Sequence, residues 1–179
     1  DQLLDAAHIF DGLCRQILCE ENLREPMAKP VYVLNGPNLN MLGLREPEIY
    51  GRETLADVQR RAEVHAKRLN LTIDFRQSNH EGELIDFLHR NIDIAAGALV
   101  NPAGLTQHGV PLHDAIKAMP FPVLEVHMSN IAAREPWRAH SIISPAVRGT
   151  LQGLGWRSYT AGLRIIAELA AESRSTQQE

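Results

Sequence analysis

Apolar positions along this 179-residue chain alternate between short continuous runs and longer stretches at helical spacing. Leu3, Leu4, Ala7, Phe10, Leu13, Cys14, Ile17 and Leu18 recur at that spacing and predict an amphipathic helix within residues 1–26. The run Val31-Tyr32-Val33-Leu34 reads as a first, buried strand. Over 54–69, Leu55, Val58, Ala62, Ala66 and Leu69 share one helical face, and Thr54 with Asp57 forms a capping-box pattern at its start. Residues 71–76 alternate apolar and polar, as a strand near a sheet edge does. Ser78-Asn79 is expected to cap a helix with Glu81 and Glu83 in its first turn and Leu84, Phe87 and Leu88 facing inward. A small, apolar run over 94–100 stopped by Asn101-Pro102 is the third strand, and 110–119 a helix ended by Pro120 and Pro122. A fourth strand spans 122–127, a polar loop 129–144, a short fifth strand 149–153 and a closing helix 159–171, with 177–179 fraying.

Strands that alternate with helices predict an α/β fold: a flavodoxin-like, doubly wound, five-stranded parallel sheet with helices on both faces. In such sheets the ligand lies beyond the carboxyl ends of the strands, so the segments 35–50, 101–114 and 127–138 should meet there. Residues 1–29 are expected to form a helical extension and 30–179 a single catalytic domain. Met27-Ala28-Lys29-Pro30 reads as a natural start, and Asp1, Asp5 and Asp11 sit where a signal peptide would need basic residues.

Composition narrows the chemistry. Apolar residues make up 44% and charged residues 22%, with a net charge of -4, so neither nucleic acid nor an anionic membrane is an expected partner. The two cysteines, Cys14 and Cys19, lack CxxC spacing, which points away from a disulfide framework and toward a reducing cytoplasm. Gly36 and Gly43 do not form a nucleotide fingerprint, the eight histidines include no HExxH or HxH pair, and GxSxG is absent. No cofactor and no metal are expected. Acid–base chemistry remains.

Glu125, His127 and Ser129 alternate along the fourth strand and its end, so they project to one side. A carboxylate two residues from a histidine can accept its ring N–H and hold the imidazole as a proton donor. A core histidine satisfied by a neighbour is the blander reading, but it would bury Glu125 for no return. The loop after the first strand carries Asn35, Asn38 and Asn40 and ends in Arg45 and Tyr50. A tyrosine has an ordinary pKa of about 10, and lowering it by ~3 units takes ~4 kcal/mol. One guanidinium at about 4 Å supplies ~4 kcal/mol at an effective dielectric near 20. Arg45 beside Tyr50 is therefore sufficient to make a phenolate base. Asn38 and Asn101 can donate to a developing oxyanion or to hydroxyls. Asn35 is read as a turn former, and His65 and His89 as solvated helix-face residues. The base would sit far along a segment bounded by Gly43 and Gly51, which is expected to act as a lid, mobile when empty and ordered with ligand.

Several stretches closely resemble type II 3-dehydroquinate dehydratase (type II dehydroquinase). These are Val33-Leu34-Asn35-Gly36-Pro37-Asn38-Leu39-Asn40-Met41-Leu42-Gly43 followed by Arg45-Glu46-Pro47 and Tyr50-Gly51; Arg76-Gln77-Ser78-Asn79-His80-Glu81-Gly82-Glu83-Leu84; Glu125-Val126-His127-Met128-Ser129-Asn130-Ile131 with Arg134-Glu135; and Arg138-x-His140-Ser141. The resemblance covers about 31–170. It implies cofactor-free loss of water from 3-dehydroquinate to give 3-dehydroshikimate, in aromatic biosynthesis or quinate breakdown. It also implies a role for each residue. Tyr50, activated by Arg45, removes the proton next to the ketone; Asn38 stabilises the enolate, through an ordered water. His127, oriented by Glu125, protonates the departing hydroxyl. Asn101, the Met128 backbone, Ser129 and Arg138 hold the substrate, and Asp114 reaches the site of a neighbouring subunit in a dodecamer built from trimers. One region departs. Family members typically read Asn-x-x-x-x-Thr-His-Thr-Ser-Val-Ala-Leu-Arg-Asp, and here a substrate-binding histidine is Gln107 and an arginine is His113. Gln107 could keep a neutral hydrogen bond, with His108 shifting in. A paralogue acting on a related polyhydroxy cyclohexane acid, or a silent binding protein, is the alternative that this departure leaves open.

Overall fold

The computed structural model describes residues 29–44 and 53–176, with side chains through Ser173. The expected N-terminal helix, the segment carrying Arg45 and Tyr50, and the fraying C-terminus lie outside the described residues. Five parallel strands follow one another as β1 (Val31–Asn35), β2 (Ile73–Gln77), β3 (Gly97–Asn101), β4 (Val123–Val126) and β5 (Gly149–Leu151). Their spatial order is β2-β1-β3-β4-β5, the flavodoxin-like order. Among the described residues four α-helices, α1 (Leu55–Arg68), α2 (Glu81–Arg90), α3 (Val110–Lys117) and α4 (Arg157–Thr176), connect and flank them.

The period-2 alternation of strand side chains sends alternate residues of β1 into two separate cores. Val31 and Val33 join Val58, Ala62 and Ala66 of α1 and Tyr159, Leu163 and Ile166 of α4. Tyr32 and Leu34 join Leu84 and Leu88 of α2 and Leu112, Ala115 and Ile116 of α3. Both faces of the sheet are thus covered, which explains why β1 and β3 are continuous apolar runs with every residue buried. β2 is an edge strand, as its mixed pattern predicts, and none of its residues is fully buried.

The capping box of α1 is formed: Asp57 N donates to Thr54 Oγ1 at 3.2 Å and Thr54 N to Asp57 Oδ2 at 2.9 Å. The start of α2 differs from expectation. His80, not Ser78-Asn79, occupies the cap position without a capping side-chain bond, and the Ser78 hydroxyl acts from two residues before it. It accepts from His80 N at 2.9 Å and donates to Glu83 Oε2 at 2.5 Å, bracing the first turn from outside. His89 is exposed as expected, but His65 is half-buried, and desolvation holds its ring below the usual histidine range.

β1 leads through α1 to β2 on one side, and β2 leads through α2 back past β1 to β3 on the other, so the strand order switches between β1 and β3. The loops leaving these two strands touch at that point. Gly36 N donates to Asn101 O at 2.8 Å, and a Cβ at Gly36 would lie 2.3 Å from Pro102 O. Only glycine allows that approach.

Candidate active site

A cleft of about 480 Å³ opens beyond the carboxyl ends of β1, β3 and β4. Its walls come from the three segments expected to converge: Asn38 to Leu42, Asn101 to His108, and His127 to Arg138. Size and position are those of a small-molecule site at a topological switch point.

The floor is a buried acid–base pair. Glu125, on β4, has no exposed surface, and its Oε1 lies 2.7 Å from His127 Nε2. Ser141 Oγ donates to the same oxygen at 2.7 Å, and Ser144 Oγ donates to Oε2 at 2.5 Å. Burial pushes the carboxyl up, but the bonds from His127, Ser144 and Ser141 outweigh it and hold Glu125 below the ordinary glutamate value. The carboxylate is therefore ionised at neutral pH although it is surrounded by protein. His127 spends Nε2 on this contact, and Ser158 Oγ secures its backbone carbonyl at 2.8 Å. Its ring lines the cleft, so Nδ1 is the nitrogen left for a ligand.

Asn101 ends β3 at the back of the cleft. Its Nδ2 donates to Tyr159 Oη at 2.7 Å and its Oδ1 accepts from Ala103 N at 3.2 Å. Tyr159 in turn donates to Asn35 Oδ1 at 2.8 Å, and Asn35 Nδ2 reaches Arg76 O at 2.9 Å. Asn35 is thus the last residue of β1, fully buried, and not a turn former. Complete burial pushes the Tyr159 phenol well above its usual value, so it serves as a fixed neutral hydroxyl. Asn38 adopts φ 67°, which asparagine tolerates, and Asn79 Oδ1 accepts its backbone N–H at 2.9 Å.

The wall after β4 is cationic. Arg134 and Arg138 line it, with Nε atoms 3.4 and 3.3 Å from Glu135 Oε2, and Arg138 stacks over Trp137 at 4.0 Å. Among the described residues no cluster of three or more His, Cys, Asp or Glu could hold a metal ion. The arrangement offers proton transfer at His127 beside groups that suit a carboxylate and hydroxyls.

The family model described as dehydroquinase class II matches residues 29–167. The chain belongs to that family. Among the family's members, the chain is 49% identical over 148 residues to the 3-dehydroquinate dehydratase of Sinorhizobium medicae, covering 83% of this chain and all of the relative. It is 52% identical over 142 residues to that of Chelativorans sp., covering 79% and 98%. The crystal structure of a type II dehydroquinase from Propionibacterium acnes superposes with a TM-score of 0.77 at 39% identity, covering 80% of this chain and 99% of that one. A dehydratase-like protein from Bifidobacterium longum is more distant, with a TM-score of 0.60 at 25% identity and coverage of 80% and 98%.

Against the roles that membership suggests, Asn38, Asn101, Gln107, His127, Met128, Ser129 and Arg138 all line the cleft, with Glu125 directly behind His127. Asp114 does not; it stands on α3 with 73% of its side chain exposed, 3.1 Å from His113 Nδ1. Tyr50 and Arg45 lie outside the described residues, as does most of the segment between Gly43 and Gly51 that is expected to act as a lid. Gln107 and His108 both face the cleft, so His108 stands where the departure from the family pattern allowed it to be. Sequence reasoning left Arg134, Trp137, Tyr159, Ser141 and Ser144 without roles. Only Arg134 and Ser141 fell within recognised motifs, and nothing local ties any of the five to the pocket.

Proposed function

We propose that this chain eliminates water from 3-dehydroquinate to give 3-dehydroshikimate by acid–base catalysis, without metal or cofactor. The observation that carries the reading is the buried Glu125–His127 pair, braced by two serines, at the floor of a cationic cleft in a class II dehydroquinase fold. Tyr50, activated by Arg45, is the base that takes the proton next to the ketone. The electron pair moves into an enolate, which Asn38 stabilises. His127 then gives a proton to the hydroxyl on the β-carbon; the C–O bond breaks, water leaves and a conjugated enone remains.

Geometry supports one detail of that last step. With Nε2 against Glu125, donation from Nδ1 requires both ring nitrogens to carry protons, and the ionised carboxylate balances the charge. Arg138, Ser129, the Met128 backbone and Asn101 hold the carboxylate and hydroxyls. The exposure of Asp114 suits a contact with a neighbouring subunit, in keeping with a dodecamer of trimers. No described helix is long and apolar enough to cross a membrane, which is compatible with work in the cytoplasm on a biosynthetic or catabolic route. The test is direct: purified protein mixed with 3-dehydroquinate should generate the enone absorbance of the product, and no turnover would refute the proposal.

A further inference from the structure

We infer that Gln107 is a positioning residue for Arg138 and not a direct ligand of the substrate. The inference rests on the dehydratase reading above for its kinetic consequence, and on hydrogen bonding alone for its structural one. Gln107 Nε2 donates to Arg138 O at 3.1 Å and to His140 O at 3.4 Å. Both protons of the amide nitrogen are thus spent on carbonyls of the loop that follows β4. One residue earlier, Thr106 O accepts from Ile142 N at 2.9 Å, so adjacent residues of the loop after β3 grip the loop after β4 at 138, 140 and 142. A histidine at 107 carries at most one N–H on each ring nitrogen and could not serve two carbonyls from a single atom.

What the grip holds is the carrier of the arginine. Arg138 stacks on Trp137 at 4.0 Å, and its Nε is buried 3.3 Å from Glu135 Oε2, in ion-pair contact but without a hydrogen bond. Both of these partners, Trp137 and Glu135, ride on the same loop as Arg138, so the aim of the guanidinium into the cleft depends on where that backbone is held. Misplacing a recognition group by about 1 Å can cost as much as 10²-fold in rate. Gln107 fixes the backbone at that point.

The experiment compares wild type, Gln107→Leu, the length-matched Gln107→Met, Arg138→Lys and the Gln107→Leu/Arg138→Lys double variant. If Gln107 acts through Arg138, Gln107→Leu and Gln107→Met raise KM about tenfold with little change in kcat, and Gln107→Leu adds nothing in the Arg138→Lys background. Multiplying KM effects, as from two independent ligands, would overturn the inference. Hydrogen exchange on the ligand-free protein is the readout that does not need activity: the amides of Arg138, Ala139 and Ile142 should exchange faster in both Gln107 variants. Unchanged exchange there sinks the clamp whatever the kinetics. Faster exchange in a protein that never turns over 3-dehydroquinate upholds the clamp and sinks the dehydratase reading instead.

Discussion

Replacing Ser144 with alanine deletes the hydroxyl that donates to Glu125 Oε2 at 2.5 Å. Glu125 is wholly buried, and its ionisation depends on hydrogen bonds that offset the desolvation opposing it. A hydrogen bond to a charged group contributes about 1.5–3 kcal/mol, and one pH unit corresponds to about 1.4 kcal/mol. Losing Ser144 should therefore move the acid limb of kcat/KM upward by about one pH unit. Stability follows the same sign. Because the folded-state carboxyl lies below its unfolded value, its ionisation stabilises the fold above the unfolded value, and that contribution is lost as pH falls through the folded one. The Ser144→Ala deficit is accordingly full at neutral pH and shrinks through the carboxylate range. Ser141→Ala acts likewise at Oε1, and the double variant should shift the limb further. The assay is the pH profile of kcat/KM on 3-dehydroquinate, with melting curves at each pH. A profile scaled down but with its acid limb unmoved would refute the claim that these serines keep Glu125 charged for His127.

Other expectations follow from single contacts. Tyr159→Phe strips one bond each from buried Asn35 and Asn101, so unfolding by urea should show a loss of about 2–4 kcal/mol, and KM should rise as Asn101 loosens. Gly36→Ala drives a methyl into Pro102 O at 2.3 Å and must part the loops after β1 and β3; it should lower Tm and impair turnover together. Dialysis against a chelator should leave kcat unchanged; loss of activity restored by a divalent cation would contradict metal-free acid–base chemistry.

The fold was largely legible because its signals are local. The runs of β1 and β3, the Thr54–Asp57 capping box and the mixed pattern of β2 each declare themselves within a few residues, and alternation with helices orders them into a parallel sheet. Glu125 and His127 were legible for the same reason, since spacing two along a strand puts both on one side. The supports of the site were not. Asn35 looks like a turn former beside Gly36-Pro37, and its actual partner, Tyr159, is 124 residues away. Gln107 reads only as a departure, because its meaning lies in carbonyls 31 and 33 residues further on. Ser141 and Ser144 look like loop hydroxyls until the polar loop folds back over β4.

In the proposed mechanism one group makes the enolate and another, His127, expels the hydroxyl. That division is tested most directly by following 3-dehydroquinate in deuterated water with wild type, His127→Asn and Tyr50→Phe. Wild type should form the enone. His127→Asn should lose dehydration by about 10²–10⁴-fold yet still exchange the proton next to the ketone for deuterium, and Tyr50→Phe should lose both. Exchange and dehydration falling together in His127→Asn, or undiminished turnover in Tyr50→Phe, would contradict the account.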